Sequence, residues 1–367
     1  MGAGVLFPAG RGGSTLAIQM KDSYSYLKAF RHPDVLHSIS TGIPSRLPHV
    51  ELILADLCQQ HCHFCAYRLP GYTSNQLFDE SRLMDTLKAI EIIEDCAAIG
   101  VEAIQFTGGG EPTLHPAFKQ MIELVDSLGM KFSLVSNGVR IDERLAESVS
   151  KAAWVRISLD AATEETYVKT RRVHPSHFKK AQNAIRFLAG KTVLGVGFVV
   201  TPQNYKEIFG AARLAKSLGA HNVRISAQFS SEDEKLFEGF HQEAAQLAKE
   251  AEALTDSTFT VYNRFSDRLE DLTLKHPEDA LCGYQFFTTY IGCDLNVYRC
   301  CGYAYNKRGL IGSIKKQRFK DFWMSQERFD NQKSFDARGC ERCQFRKINQ
   351  SLAYVLSPNP QIHEEFV

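Results

Sequence analysis

Short apolar runs punctuate this chain at residues 50–55, 103–106, 132–135, 155–159, 193–200 and 222–227. Their length and their β-branched content predict buried strands. Each is followed by an amphipathic stretch, at 81–98, 116–128, 142–151, 177–188, 204–218 and 241–254. In the first of these Leu83, Leu87, Ile90, Ile93 and Ala97 recur at helical spacing, and Gly100 closes the run. A strand and then a helix, six times over, predicts a parallel sheet joined by helical crossovers, an α/β fold. Right-handed crossovers curl such a sheet, so six units predict a partial (β/α)6 barrel with its site at the C-terminal ends of the strands. The alternation stops after about residue 258. The predicted organisation is therefore an N-terminal extension over 1–46, partly mobile because 1–13 is glycine-rich, a barrel over 47–258, and a small unit with the C-terminal tail over 259–367.

The first strand leads directly into Cys58-Gln-Gln-His-Cys62-His-Phe-Cys65. Three thiolates can hold a cubane iron–sulfur cluster and leave one iron without a protein ligand. An open coordination position distinguishes a catalytic metal site from a closed structural one. With His61 and His63 nearby, a zinc site is the competing reading. The second strand leads into Gly108-Gly109-Gly110-Glu111-Pro112, where adjacent glycines allow a backbone to approach a ligand closely. Taken alone, that turn also suits an ordinary strand-to-helix connection.

The cysteine motif, with the aromatic Phe64 before its last cysteine, resembles that of the radical S-adenosylmethionine (radical SAM) superfamily, and the glycine element resembles that superfamily's GGE(P) segment. The resemblance covers roughly residues 49 to 345. It implies that Cys58, Cys62 and Cys65 hold a [4Fe–4S] cluster whose open iron chelates S-adenosylmethionine. Reductive cleavage would give a 5′-deoxyadenosyl radical that takes a hydrogen atom from substrate, with the protein supplying position and exclusion of water. It implies cofactor contacts at Phe64, Gly108, Gly109, Gly110, Glu111 and Pro112, at the strand-end residues Asn137, Ser158 and Asp160, and at the strand holding Val199. Arg171, in a Tyr-x-x-x-Arg stretch, either reaches the cofactor carboxylate or forms a solvated basic helix end. The aromatic and basic segment 67–72 forms part of a substrate mouth or packs the cluster loop.

Composition adds exclusions. Lysine and arginine number 43 against 42 acidic residues, giving a net charge of +1, so nothing in the charge balance points to nucleic acid or an anionic membrane. No apolar run approaches the roughly 18 residues a membrane span needs, and 5–9 is too short for a signal peptide. Ten cysteines without an export signal predict metal ligation in a reducing compartment, hence a cytoplasmic enzyme.

The C-terminal hundred residues hold a second cysteine set. Seventeen residues separate Cys282 from Cys300, and Cys340 and Cys343 form a CxxC pair. The segment resembles the twitch extension of radical SAM enzymes, a shortened SPASM domain. The resemblance implies one auxiliary [4Fe–4S] cluster on these four cysteines; a zinc knuckle closed by the same four thiolates is the alternative. Asn349 stands where a full SPASM pattern would continue with cysteine. Leu295 stands where the family has a turn glycine, so that turn either differs or tolerates an unfavourable backbone angle. Cys293 and Cys301, flanking Cys300, are candidate hydrogen-atom donors to a substrate radical or alternative ligands, against a plain packing role. Cys96 is expected to be a small buried hydrophobe.

The implied reaction is fixed better than its substrate. A small polar metabolite, sugar- or amino-acid-like, would be oxidised with electron loss to the auxiliary cluster. A short peptide would be epimerised or crosslinked. A flavodoxin- or ferredoxin-type protein would donate the electron. A non-catalytic iron–sulfur or zinc scaffold is the reading from another class.

Overall fold

The computed structural model describes residues 24–69, 76–229, 233–267, 274 and 276–357. The expectation of a mobile segment over 1–13 lies outside them. All six expected strands form: β1 (His49–Ile53), β2 (Ala103–Thr107), β3 (Lys131–Ser136), β4 (Trp154–Ser158), β5 (Leu194–Val200) and β6 (Asn222–Ala227). They pair in parallel, in chain order. Strands β7 (Thr260–Arg264), β8 (Thr288–Ile291), β9 (Asn296–Tyr298) and β10 (Leu310–Ser313) extend the same sheet, in the order β10-β9-β8-β1-β2-β3-β4-β5-β6-β7. β8 runs parallel to β1 with His49 opposite Thr288, and β9 and β10 follow antiparallel. These four short, mixed-polarity strands carry no clear period in the sequence.

The helices are α1 (Pro33–Thr41), α2 (Thr86–Ala98), α3 (Phe118–Ser127), α4 (Glu143–Val149), α5 (Glu164–Arg171), α6 (Ser176–Leu188), α7 (Ile208–Ser217), α8 (Asp233–Phe237), α9 (His241–Ala251), α10 (Phe319–Trp323), α11 (Gln326–Lys333) and α12 (Arg346–Leu356). α2 starts five residues later than the periodicity predicts. Asp85 caps it by accepting from the Lys88 amide at 2.9 Å, while Ser81 is turned back onto Asp79, donating from its amide at 3.0 Å and its hydroxyl at 2.7 Å.

Alternation along each strand sorts the two faces of the sheet. Val50, Leu52, Ile104, Phe106, Val155, Ile157, Val196, Phe198, Val223 and Ile225 are fully buried against the apolar faces of α2, α3, α6 and α7. Glu51, Gln105, Arg156, Gly195, Gly197 and Arg224 occupy the other face. Residues from β1, β2, β4, β5, β6, β7 and β8 line one cavity, so the sheet is curled with that second face inside. This is the expected partial barrel, with β7 and β10 as the edge strands among the described residues.

Leu295 adopts the left-handed conformation at φ +58°, closing the turn between β8 and β9 with its amide on the Gly292 carbonyl at 2.9 Å. The turn keeps its geometry without the glycine, at a cost of about 1–2 kcal/mol. Cys96 is fully buried on α2, as expected of a small hydrophobe. Among the described residues no helix is long and apolar enough to cross a membrane.

Candidate functional site

Three connections at the C-terminal strand ends converge. The loop after β1 carries Cys58, Cys62 and Cys65. The glycine element after β2 is zipped onto that loop: Gly110 donates to the Ala55 carbonyl at 2.8 Å and Glu111 to the Leu57 carbonyl at 2.9 Å. Side chains there are sterically forbidden. A Cβ on Gly110 would sit 2.1 Å from the Leu57 oxygen, and one on Gly109 would sit 2.3 Å from an Asp56 carboxylate oxygen.

Glu111 is buried and ties this loop to the end of β3. It accepts from the Thr113 hydroxyl at 2.6 Å, the Ser136 hydroxyl at 2.7 Å and the Asn137 amide at 2.8 Å. Pro112 is buried beside it at the head of a short 3-10 turn. The Asn137 side chain reaches the cysteine loop. Its oxygen accepts from Gln59 Nε2 at 3.2 Å, and its Nδ2 lies 3.9 Å from Cys58 Sγ. Asp160 takes a left-handed backbone at φ +56° just past β4. One of its oxygens accepts from the Val199 amide at 2.6 Å, and the other is paired with Arg171.

Arg171 ends α5 but is buried, so the solvated-helix-end reading is corrected. Its guanidinium also donates to Gln60 Oε1 at 2.5 Å and stands 3.9 Å from Cys62 Sγ. Burial opposes its charge, but the Asp160 carboxylate and the Cys62 sulfur hold it protonated. The backbone of α5 grips the same loop through the His61 amide on Arg171 O at 3.1 Å and the His63 amide on Thr170 O at 3.2 Å. Ser158, partly buried at the end of β4, faces the barrel interior opposite Gly197. Phe64 packs edge-on against His63 with ring centroids 5.4 Å apart.

Burial pushes the Cys58 thiol up to about 11 and Cys62 to about 12, and raises Cys65. Such thiols become thiolates when a metal supplies the compensating charge. Among the described residues no three His, Cys, Asp or Glu side chains come close enough together to hold a single metal ion, as zinc requires.

The second cysteine set also assembles. Cys282, Cys300, Cys340 and Cys343 line one small apolar cavity with Arg299, Tyr303 and Phe345. Burial raises Cys282 to about 12 and raises Cys340 against hydrogen bonds from Arg308 and Tyr303. Asn349 donates to Cys343 Sγ at 3.6 Å and accepts from the Tyr284 amide at 2.9 Å. The residue in the place of a further cysteine thus supports a neighbouring thiol. Both donor sets offer soft sulfur ligands in partly or fully buried surroundings, which suits iron–sulfur clusters.

The two candidate hydrogen-atom donors lie apart. Cys293 is buried in the seam beside β1, its thiol donating to the Ile53 carbonyl at 3.2 Å. Cys301 lies next to Cys300, accepts from Gln344 Nε2, and is close enough to Tyr284 and Tyr290 to affect both hydroxyls. Tyr67 stacks on Phe78 at 5.5 Å and meets Tyr305 edge-on at 5.9 Å, so it packs the cluster loop; Pro70, Gly71 and Tyr72 lie outside the described residues.

Asp56 and Tyr305 stand at the site outside every motif singled out above. Asp56 is buried two residues before Cys58, hydrogen-bonded by the Tyr305 hydroxyl, which also accepts from the Cys293 amide at 3.0 Å. Burial lifts its carboxyl to about 7. A polar residue just past an apolar run was the available signal. Tyr305→Phe is expected to lower stability by about 1–3 kcal/mol, since it strips a buried carboxylate of a donor. Urea unfolding of the purified protein measures this.

A curled parallel sheet with a three-cysteine loop and a glycine turn at its C-terminal edge defines a class of iron–sulfur enzyme. Residues 52–224 match the radical SAM superfamily, and residues 282–344 match the SPASM iron–sulfur cluster-binding domain. The chain therefore carries a radical SAM domain followed by a SPASM-type domain, and with them the requirement for a [4Fe–4S] cluster, S-adenosylmethionine and an auxiliary cluster.

Curated relatives include a mycofactocin maturase, MftC, of Mycobacterium ulcerans, 31% identical over 48% of this chain and 50% of its own length. The PqqA peptide cyclase of Gluconobacter oxydans is 27% identical over 45% and 46%, respectively. An S-adenosylmethionine-dependent nucleotide dehydratase of Lacinutrix mariniflava is 29% identical over 37% and 28%. The chain spans half or less of the length of these relatives. Among solved structures, Streptococcus suis SuiB bound to S-adenosylmethionine aligns with a TM-score of 0.61 at 12% identity, over 84% of this chain and 70% of that one, a likeness of fold.

Proposed function

We propose that this protein is a cytoplasmic enzyme that cleaves S-adenosylmethionine reductively and abstracts a hydrogen atom from a small polar metabolite held inside the barrel. The observation that carries the reading is the convergence of the Cys58–Cys65 loop, the Gly108–Gly110 turn and the ends of β3 and β4 at one rim. When bound, the cluster and S-adenosylmethionine supply the carbon-centred radical. Cys58, Cys62 and Cys65 would hold the cluster, with a coordination position left for the cofactor. The glycines would let cofactor and backbone meet at close range, and Ser158, partly buried at the end of β4, would offer its hydroxyl. Glu111, Asn137, Asp160 and Arg171 position rather than react, since each is already engaged with protein partners. Cys282, Cys300, Cys340 and Cys343 would hold the auxiliary cluster, and a flavodoxin- or ferredoxin-type protein would deliver the electron.

A peptide substrate is the second reading, favoured by the names of the relatives: a peptide cyclase, a maturase, and SuiB, which has also been solved with its precursor peptide. Anaerobically reconstituted and reduced protein, mixed with S-adenosylmethionine, is expected to form 5′-deoxyadenosine and methionine in equal amounts. Liquid chromatography measures both. Absence of 5′-deoxyadenosine from protein with a full iron complement sinks the proposal and favours the scaffold.

A further inference from the structure

A buried cation stands beside the second cysteine set, just past β9. Arg299 precedes Cys300, is only 5% exposed, and lines the cavity formed with Cys282, Cys300, Cys340 and Cys343. Its guanidinium donates to the side-chain oxygens of Gln285 and Asn331, and it rests 4.1 Å over the Phe335 ring. All three partners are neutral. Its Nε is buried and has no hydrogen-bond partner among the described residues. Among the described residues no carboxylate pairs with it either. Burial works against the charge of Arg299, and the groups that favour it are the sulfurs of Cys282, Cys300 and Cys340.

The surroundings fix where this charge points. Gln285 is fully buried in the 3-10 turn after Cys282. Its Nε2 donates to the Gln332 carbonyl on α11 at 2.9 Å, and Gln332 Nε2 donates back to the Gln285 carbonyl at 2.8 Å. With its nitrogen committed, Gln285 turns its oxygen to Arg299, the one group of that amide able to accept from a guanidinium. Gln332 is held in turn by Arg328 Nη1 at 2.6 Å. A second cation, Arg308, packs 5.0 Å from the same Phe335 ring and hydrogen-bonds Cys340. It lies in the field of Asp336, which is itself paired with Arg338 at 2.7 Å. Two guanidinium groups against one ring repel each other, and a buried cation without an anion is unfavourable. Negative charge at the four sulfurs offsets both effects.

We infer that Arg299 is the fixed counter-charge of the auxiliary cluster and raises its reduction potential. Net charge, hydrogen bonds to sulfur and burial are the levers by which a protein sets such a potential. Reduction adds a negative charge to the cluster. A guanidinium beside a ligand therefore stabilises the reduced form more than the oxidised one, and does so strongly where little water screens it. Arginine keeps its charge at any physiological pH, so the bias is permanent. A raised potential suits this site to take up an electron rather than to give one, which deepens the oxidative reading proposed above. The inference rests on the auxiliary cluster at these four cysteines, and on neither the substrate nor the cleavage of S-adenosylmethionine.

The test is a potentiometric titration followed by electron paramagnetic resonance. It uses the full chain with Cys58, Cys62 and Cys65 replaced by alanine, reconstituted anaerobically, so that the auxiliary cluster is read alone. Arg299→Gln in that background should lower the reduced-to-oxidised ratio at a given potential at least roughly tenfold, a midpoint shift of about 59 mV for one electron. Arg299→Lys keeps the charge and should shift the midpoint less than half as far. Arg186→Gln removes an exposed cation from α6 and should not move it. The inference is overturned if Arg299→Gln keeps the original midpoint, if Arg299→Lys falls as far as Arg299→Gln, or if Arg186→Gln does. Should Arg299→Gln take up no iron, Arg299→Lys decides: a cluster at the original potential upholds the counter-charge, and a lowered potential or no iron overturns it. A parent protein with no iron at the four cysteines overturns it as well. No step uses S-adenosylmethionine, so a protein unable to cleave it still gives a readable answer.

Discussion

Replacing Cys58, Cys62 and Cys65 together by alanine is expected to abolish 5′-deoxyadenosine formation and to lower the iron content of the reconstituted protein from about eight atoms to about four. The loss of activity follows from the ligand count. With those three thiolates gone, the loop keeps no cysteine to hold a cubane with an open iron. The iron retained is the sharper part of the expectation. Cys282, Cys300, Cys340 and Cys343 line a separate cavity in a different part of the chain, so they keep their cluster when the first is gone. Iron and sulfide analysis with electron paramagnetic resonance of the reduced proteins reads both numbers. A wild-type value of about four that falls to zero, with zinc or nothing at the C-terminal cysteines, sinks the auxiliary-cluster assignment and leaves the radical domain standing.

The second large effect concerns a residue that touches no substrate. Arg171→Met is expected to destabilise the protein by about 3–5 kcal/mol, because it leaves the buried Asp160 carboxylate without its cation. The same change frees Gln60 and removes the positive charge beside Cys62, so cluster retention falls with stability. Asp160→Asn in the same chain should restore much of the loss, since the double variant buries no lone charge; a double-mutant cycle in denaturant separates this coupling from simple loss of packing. If Arg171→Met unfolds at the wild-type denaturant concentration, the pair does not brace the loop.

Much of this was legible in the residues. Six parallel strands and their crossovers follow from apolar runs of strand length alternating with helical periods. The cysteine spacing and the glycine turn marked the rim, and Asn349 and Leu295 were legible as departures from a pattern. What could not be read was which polar groups meet. Glu111 is held by Ser136 and Asn137 of another strand end, and Arg171 is matched to Gln60 across the site, at sequence separations that no local period encodes. The strands after residue 258 escaped for a different reason. Segments such as Thr260–Arg264 are short and face both a packed and a wet side, so their propensity is weak and tertiary pairing decides them.

The parallel pairing of β8 with β1 has a consequence for how such a protein can be inherited and handled. Strand β8, the first within the SPASM-type segment, is hydrogen-bonded to the strand that begins the barrel. The two units are therefore not beads on a string that could be shuffled or expressed apart. Cut away, the C-terminal part would leave β1, an apolar strand at the heart of the sheet, as a raw edge inviting a second chain to add itself. Lineages that shorten or rebuild this extension must keep something docked along β1, and the ladder from His49 to Leu52 is where that constraint is written.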